Sequence, residues 1–516
     1  MLSQFIGKPF WITLAAHVVW FLLAVLVFQT TWTVPVIVVL ALAAFLASVW
    51  RMEVGLAVAF AELFANSHGH LIDASIGGFA VSSRMAVFVG VMLGYAVRVL
   101  CRRSTVPWRE ERLWVFVPLL IAVAGGLITG WTQNDHGDVF ADVNAYFYLA
   151  YLLPILSVSW DGVSRRILLQ VFAASATWVG VVTLGLLYIF THFPEMFLGR
   201  VYEFIRDTRT GELTKMRGQI FRIFLQAQLS DLVLAFFFVP FLFLKDVSKR
   251  ARWQTFGVLT GCAAVVLLSL SRSFWIGLMA AAVVFVGWLV MYVKPSWRTL
   301  LRGVGMDIGA FAAALVLLVG VVLFPYPYRV GAAGDLTGLF SSRATDVSDV
   351  AVSSRWKLLG PLLDEIKEAP LSGKGFGEEV TFQTDDPRVR AFSPDGTWTT
   401  YSLEWGWLEL WLKMGLLGPV AFLILFGWYV WRLWPGLRGE RSWLAVGLLA
   451  SVVSLFAIHV FSPYLNHPLG LGLLLFVLPF LNPKPPVAWR VPVVSLGKSV
   501  GVAPSTPVLT IDHEIT

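Results

Sequence analysis

Apolar stretches about as long as a bilayer is thick recur along nearly the whole of this chain, and they constrain its fold more than any other feature. A spanning helix needs about 20 mostly apolar residues. Such runs lie at 10–29, 33–50, 83–100, 114–131, 142–158, 167–191, 220–244, 254–271, 273–293, 304–324, 408–431, 442–462 and 467–481. A shorter run, 53–66, carries Glu53 and Glu62 and reads as a short span or a re-entrant helix. In hydrocarbon the backbone must satisfy its own hydrogen bonds within the segment, so these runs fold as helices. The expected fold is all-α, a polytopic transmembrane bundle of about 12–14 spans.

Composition agrees. Charged residues make up 14% of the chain and hydrophobic residues 57%, against about 25% charged in a globular protein. So little charge cannot dress a water-facing surface, and the lipid bilayer is the expected main solvent. The formal charge of +7 does not point to nucleic acid, because the basic residues sit in short loops and form no stripe. Cys101 and Cys262 are far apart, with no CxxC or metal spacing, and imply no disulfide framework. The first run follows Lys8 without a small-residue cleavage site, so it reads as a retained span.

Basic residues in short connections set orientation. They cluster at Arg98–Arg112, at Arg165 and Arg166, at Lys245–Arg252, at Lys294–Arg302 and at Arg432–Arg441, in every second connection. These connections are expected in the cytoplasm. The intervening ones at 132–141, 192–219, 271–273 and 325–403 are expected outside, in a multi-pass membrane protein. The chain then divides into helices over 1–324, an extracytoplasmic loop over 325–403, the last three spans over 404–481, and a disordered cytoplasmic tail over 482–516 rich in Pro, Val, Ser and Thr. Within the loop, Leu359, Leu362, Leu363 and Ile366 fall at helical spacing opposite Asp364, Glu365, Lys367 and Glu368, which predicts an amphipathic helix over 352–369 ended by Pro370.

Charges beside apolar helices are the first functional candidates, because burying them is costly. Arg272 lies in a tight outer turn, Leu270-Ser271-Arg272-Ser273. It either snorkels to lipid phosphates or forks onto a phosphate or pyrophosphate. Arg355 falls on the apolar side of the amphipathic helix. Arg217 and Arg222 occupy the outer end of the 220–244 run, ahead of Gln226, Gln228 and Asp231. The run Pro370–Gly377 has glycines at Gly373, Gly375 and Gly377 but no GK[ST] ending, so it is no P-loop. Its tight turns would let backbone N–H groups approach an anion. Glu404 and Glu409 sit at the return to the membrane among tryptophans, where low-dielectric surroundings raise a carboxylate toward a useful general base. Either could instead be a favourable charge at a helix N-terminus. His68, His70 and Asp73 form no convincing metal set, and His459 and His467 lie near the outer mouth of the last hairpin.

Taken in order, four of these pieces resemble the O-antigen ligase and O-antigen polymerase superfamily of bacterial envelope glycosyltransferases. They are the Ser271-Arg272 turn, the Arg355-Trp356 start of an amphipathic helix, Pro370-Leu371-x-Gly373-x-Gly375-x-Gly377, and a helix ending Gly415-Leu416-Leu417-Gly418. The resemblance covers roughly 217–480. It implies a GT-C-like, metal-independent inverting enzyme without a cofactor, moving a glycan from an undecaprenyl-pyrophosphate-linked donor to a saccharide or lipid acceptor outside the membrane. Arg217, Arg222, Arg272 and Arg355 would hold the pyrophosphate. The family's His-Asn pair, eleven residues before the first glycine of the last motif, is here Glu404-Trp405. Either Glu404 serves as the base, or a histidine such as His467 does, or activity is lost. A transporter or flippase of lipid-linked oligosaccharide would use the same arginines without cutting anything.

Overall fold

The computed structural model describes residues 2–481 apart from 77–78, 216–220, 246, 328–349 and 440. Arg217, the first part of the 325–403 loop and the 482–516 tail therefore lie outside the described residues. Every apolar run is helical over most of its described length. In chain order the helices used below are α1 (Lys8–Val27), α2 (Thr33–Trp50), α3 (Met52–Ala65), α4 (Ser83–Leu100), α5 (Val117–Gln133), α6 (His136–Val143), α7 (Gly162–His192), α8 (Glu195–Asp207), α9 (Leu229–Phe238), α10 (Lys249–Ser269), α11 (Arg272–Trp288), α12 (Trp297–Leu323), α13 (Val350–Glu368), α14 (Gly406–Met414), α15 (Leu417–Leu433), α16 (Ser442–Ile458) and α17 (Pro468–Val477). Among the described residues, 11 helical segments are long and apolar enough to cross a membrane, and Ser442–Ile458 and Pro468–Phe480 are shorter apolar helices. The protein is an all-α polytopic bundle, and among the described residues the strands form only short hairpins beside it, the first being β1 (Asp73–Ile76) with β2 (Phe79–Ser82).

Large apolar side chains left exposed, such as Trp11, Leu26, Val39, Val283 and Val316, make sense only against lipid tails. Inside, contact is made by rings and small residues. Phe64, Phe172 and Phe476 stand within 4.9–5.3 Å of one another, centroid to centroid. Gly90 of α4 lies so close to α2 that a Cβ would meet the Ala41 carbonyl at 2.3 Å, the small-residue contact by which membrane helices approach.

One expectation is sharpened and two change. The 53–66 run is α3, a 14-residue helix that rises about 21 Å, short of a hydrocarbon core of about 30 Å. The 220–244 run does not begin as a helix: Phe221–Phe224 is a strand, β4, paired antiparallel with β3 (Glu212–Lys215), with Thr214 opposite Arg222. Its β-branched and aromatic residues suit a pleated surface, and helix resumes only at Gln226. The 408–431 run is broken at Gly415, which takes φ 63° and separates α14 from α15.

The basic connections gather at one end. The charge of Arg165 interacts with those of Arg441 and Arg112, and the Arg438 guanidinium lies 5.3 Å from the Tyr292 ring centroid. Arg272, at the start of α11, lies at the other end, here called the mouth. There α13 buries Leu358, Leu362 and Ile366 against Val380, Leu403 and Leu412. Its apolar face is rotated by about one residue from the expected one, since Leu359 and Leu363 are only half-buried. The next hairpin, β5 (Val380–Gln383) with β6 (Thr397–Thr400), packs beside it.

Candidate functional site

The turn carrying Arg272 is unusual before any function is considered. Leu270 ends α10 in the left-handed region, φ 49°, and is fully buried. An L side chain with a Cβ adopts that conformation only under constraint from its surroundings. The constraint is a chain of serines. The Ser271 N–H donates to Ser269 Oγ (3.2 Å), Ser271 and Ser273 hydroxyls meet at 2.9 Å, and Ser462 donates to Ser273 Oγ at 3.0 Å. The start of α11 is thereby fixed to the segment after α16.

Arg222 joins the same turn from β4. Its Nε donates to the Ser269 carbonyl at 3.0 Å, and its guanidinium lies 4.9 Å from the Phe224 ring centroid. Glu212, 3.9 Å away, is a distant and mostly exposed partner. Arg222 therefore caps the negative C-terminal end of α10. Its cation stands at the turn from which Arg272 springs.

Arg355 and Glu404 form an ion pair. The Trp405 indole N–H donates to the Arg355 carbonyl at 2.8 Å, holding α13 to the start of α14. Trp405 also lies 5.3 Å from Phe461, the neighbour of Ser462. Contacts through Ser269, Ser273, Ser462, Phe461 and Trp405 thus link the turn that carries Arg272 to Arg222 on one side and to the Arg355–Glu404 pair on the other. Glu404 keeps about half of its side chain exposed.

Two further groups were not singled out by sequence reasoning. Arg209 sits in the left-handed region between α8 and β3, and its charge acts on both His68 and Tyr401. Arg84, at the start of α4, is buried. It pairs with Glu62 at 2.9 Å and donates to carbonyls at the end of α3. Both arginines look like ordinary loop and helix-end charges in sequence.

His467 does meet another histidine. Its Nδ1 accepts from the Leu469 N–H at 3.4 Å, so its proton sits on Nε2, which donates to His68 Nδ1 at 3.3 Å. Both nitrogens are engaged, unlike those of a histidine waiting to take a proton. Burial, reinforced by the charges of Arg84, His70 and Arg209, lowers His68 to about 4. His459 is buried against Gly406, and its Nδ1 accepts from the Leu465 N–H at 3.1 Å.

The glycine run does something other than cradle an outside anion. Gly373, Gly375 and Gly377 all have φ between 71° and 88°. At Gly375 a Cβ would stand 2.2 Å from the Gly130 nitrogen of α5, and at Gly373 2.4 Å from that of Gly415. Four backbone N–H groups of the run are already taken, the first being that of Gly373, which donates to the Ala369 carbonyl at 2.9 Å. Lys374 donates to the Leu412 carbonyl (2.7 Å), Phe376 to that of Gly126 (3.0 Å), and Gly377 to Asp142 Oδ2 (3.0 Å). The anion the run approaches is the protein's own. Asp142 in turn binds Lys413 at 2.7 Å, and Lys413 binds Glu409 at 2.6 Å, all three nearly fully buried. Glu409 is therefore a partner of Lys413 inside the protein, and among the described residues Oε2 of Glu409 has no hydrogen-bond partner. The Lys374 side chain ties the run to Glu365 and Glu368 of α13. Burial opposes its charge, but those hydrogen bonds win and hold the ammonium above the usual lysine range.

Residues 256–423 match the family model described as O-Antigen ligase, which supports the O-antigen ligase and polymerase superfamily. That segment contains Arg272, Arg355, Glu404 and the three glycines; Arg222 and His467 fall outside it. No curated protein and no solved structure matches the chain.

Proposed function

We propose, from the premise that this chain carries an O-antigen ligase domain, that it transfers a glycan from an undecaprenyl-pyrophosphate-linked donor to a saccharide or lipid acceptor on the extracytoplasmic face of the membrane. The observation that carries the reading is the Arg355–Glu404 pair beside the Arg272 turn, a carboxylate and cations at one mouth. The alternation of basic connections supports the outer side for that mouth.

In the proposed reaction an acceptor hydroxyl attacks the anomeric carbon. The carbon–oxygen bond to the pyrophosphate breaks, and the electron pair leaves with the diphosphate. The hydroxyl proton passes to Glu404. Arg272, Arg355 and Arg222, with Arg209 as a further candidate, stabilise the charge on the leaving group without a metal. Glu404 is ion-paired to Arg355 before donor binds, so its carboxylate is engaged. A diphosphate is a stronger attractant for Arg355 than one carboxylate, because the guanidinium can fork onto it. Donor binding then draws Arg355 away and frees Glu404 when the acceptor needs a base. His467 is disfavoured as the base because neither nitrogen is available.

The test is purified protein incubated with lipid-linked oligosaccharide and acceptor, with product chains separated by size. Arg272→Ala is expected to lose transfer while the protein still expresses and folds. Full transfer by that variant would remove the cations from the mechanism. Binding of donor with no transfer by the native protein would leave only a carrier of lipid-linked sugar.

A further inference from the structure

At the end of the bundle away from the mouth, α10 and α12 part to leave a cavity of about 500 Å³. Both helices begin at this end. The first turns of α10 lie about 30 Å from Arg272, the rise of 21 residues at about 1.5 Å each. The cavity is therefore separate from the proposed glycan-transfer site. Lys249, Arg252 and Trp253 line it from α10, and Arg302 from α12, with Phe256 and Met306 as apolar walls. At Gly305, where a Cβ would meet nothing within 4 Å, the wall stays open.

Three cations converge here, and among the described residues none of them forms an ion pair with a carboxylate. Arg252 is anchored by its Nη2 to the Leu244 and Lys245 carbonyls, at 3.4 and 3.3 Å. Its Nε is buried without a hydrogen-bond partner among the described residues. A shielded guanidinium N–H with no acceptor lacks a ligand that the site is able to supply. Trp253 is exposed, as an indole at a membrane interface would be. Further along α12, Val304 and Ile308 are exposed and apolar, so the cavity leads onto a surface facing lipid tails.

We propose that this cavity binds the phosphate headgroup of an anionic phospholipid. Lys249, Arg252 and Arg302 take the phosphate, and an acyl chain lies along Phe256, Met306 and the exposed face of α12. A basic pocket between membrane helices with an apolar exit matches a two-part ligand, charged at one end and oily at the other. A free phosphate would satisfy the cations but leave the apolar walls and exit unexplained.

The test uses the full-length protein, delipidated in neutral detergent and titrated with dioleoyl phosphatidylglycerol or dioleoyl phosphatidylcholine, with bound lipid counted by native mass spectrometry. The native protein is expected to retain phosphatidylglycerol in preference to phosphatidylcholine. Lys249→Gln and Arg302→Gln should each weaken retention by about fivefold, the effect of one surface cation on an anionic lipid. Arg302→Lys should keep most of it, and Arg103→Gln, elsewhere among the basic connections, should change nothing. Millimolar inorganic phosphate should not displace the lipid. Equal retention of the two lipids by the native protein would overturn the proposal. Undiminished retention in both glutamine variants, or displacement by phosphate, would do the same. The lipid preference and the phosphate competition are read on native protein, so the question is decided even if a variant fails to fold.

Discussion

Helix α14 carries a charged pairing at each end, and the two are built in opposite ways. Just before its first turn, Glu404 meets Arg355 with about half of the carboxylate side chain and a quarter of the arginine open to solvent. Near its last turn, Lys413 meets Asp142 and Glu409 with all three side chains at 8% exposure or less. An exposed pair contributes little to stability, about 0–1 kcal/mol, and can be opened by a competing ligand. A buried set is costly to create and costlier to break, because a lone buried charge has no water to turn to. The first is suited to chemistry that requires a partner to leave. The second fixes the glycine run, through the Gly377–Asp142 bond, to the helix that presents Glu404.

Substitution should separate the two. Glu404→Gln should reduce glycan transfer by about 100- to 10,000-fold, the usual contribution of a general base, with thermal unfolding in detergent nearly unchanged. A large loss of stability would place Glu404 with the structural pairings. Lys413→Met should do the reverse first, costing about 3–5 kcal/mol of stability by stranding two carboxylates. Replacing Asp142 and Glu409 with apolar residues in the same protein should restore much of it. If Lys413→Met unfolds no more easily than the native protein, the buried set is not the clamp described. Gly375→Ala should cost about 1–3 kcal/mol from its left-handed backbone alone, and more from the contact with α5. The expected readout is a lowered unfolding midpoint and increased proteolysis within 370–378.

The smallest effect concerns pH. His68 titrates lower in the folded protein, at about 4, than the ordinary 6.5, because of burial and then neighbouring positive charges. The unfolded chain therefore binds the extra proton more readily. Stability should be complete above about pH 6.5 and fall as pH drops through 6.5 toward 4. His68→Gln should flatten that part of the curve when unfolding midpoints are measured across the range. An unchanged slope would mean that His68 is not shielded by His467 and the arginines.

Hydropathy alone laid out the spans, because a bilayer imposes its requirement locally, on some twenty consecutive residues at a time. It placed the runs that became the apolar helices of the bundle but not α8, which lies in the 192–219 connection, and the spacing of Leu362 and Ile366 marked α13 as amphipathic. It also pointed to the Ser271–Ser273 turn, since an arginine between two apolar helices is visible in one dimension. Pairings were another matter. Asp142 and Lys413 are 271 residues apart, and His68 and His467 399 apart; no local pattern links them. Its apolar neighbours give Arg222 the look of a helix end, whereas pairing with Glu212–Lys215 makes it part of a strand. The glycines of 373–377 were recognisable as a site of close approach, but what approaches them was not. Charge is long-ranged and burial belongs to the whole fold, so only the packed helices decided which carboxylates are sealed with a cation and which remain open at the mouth.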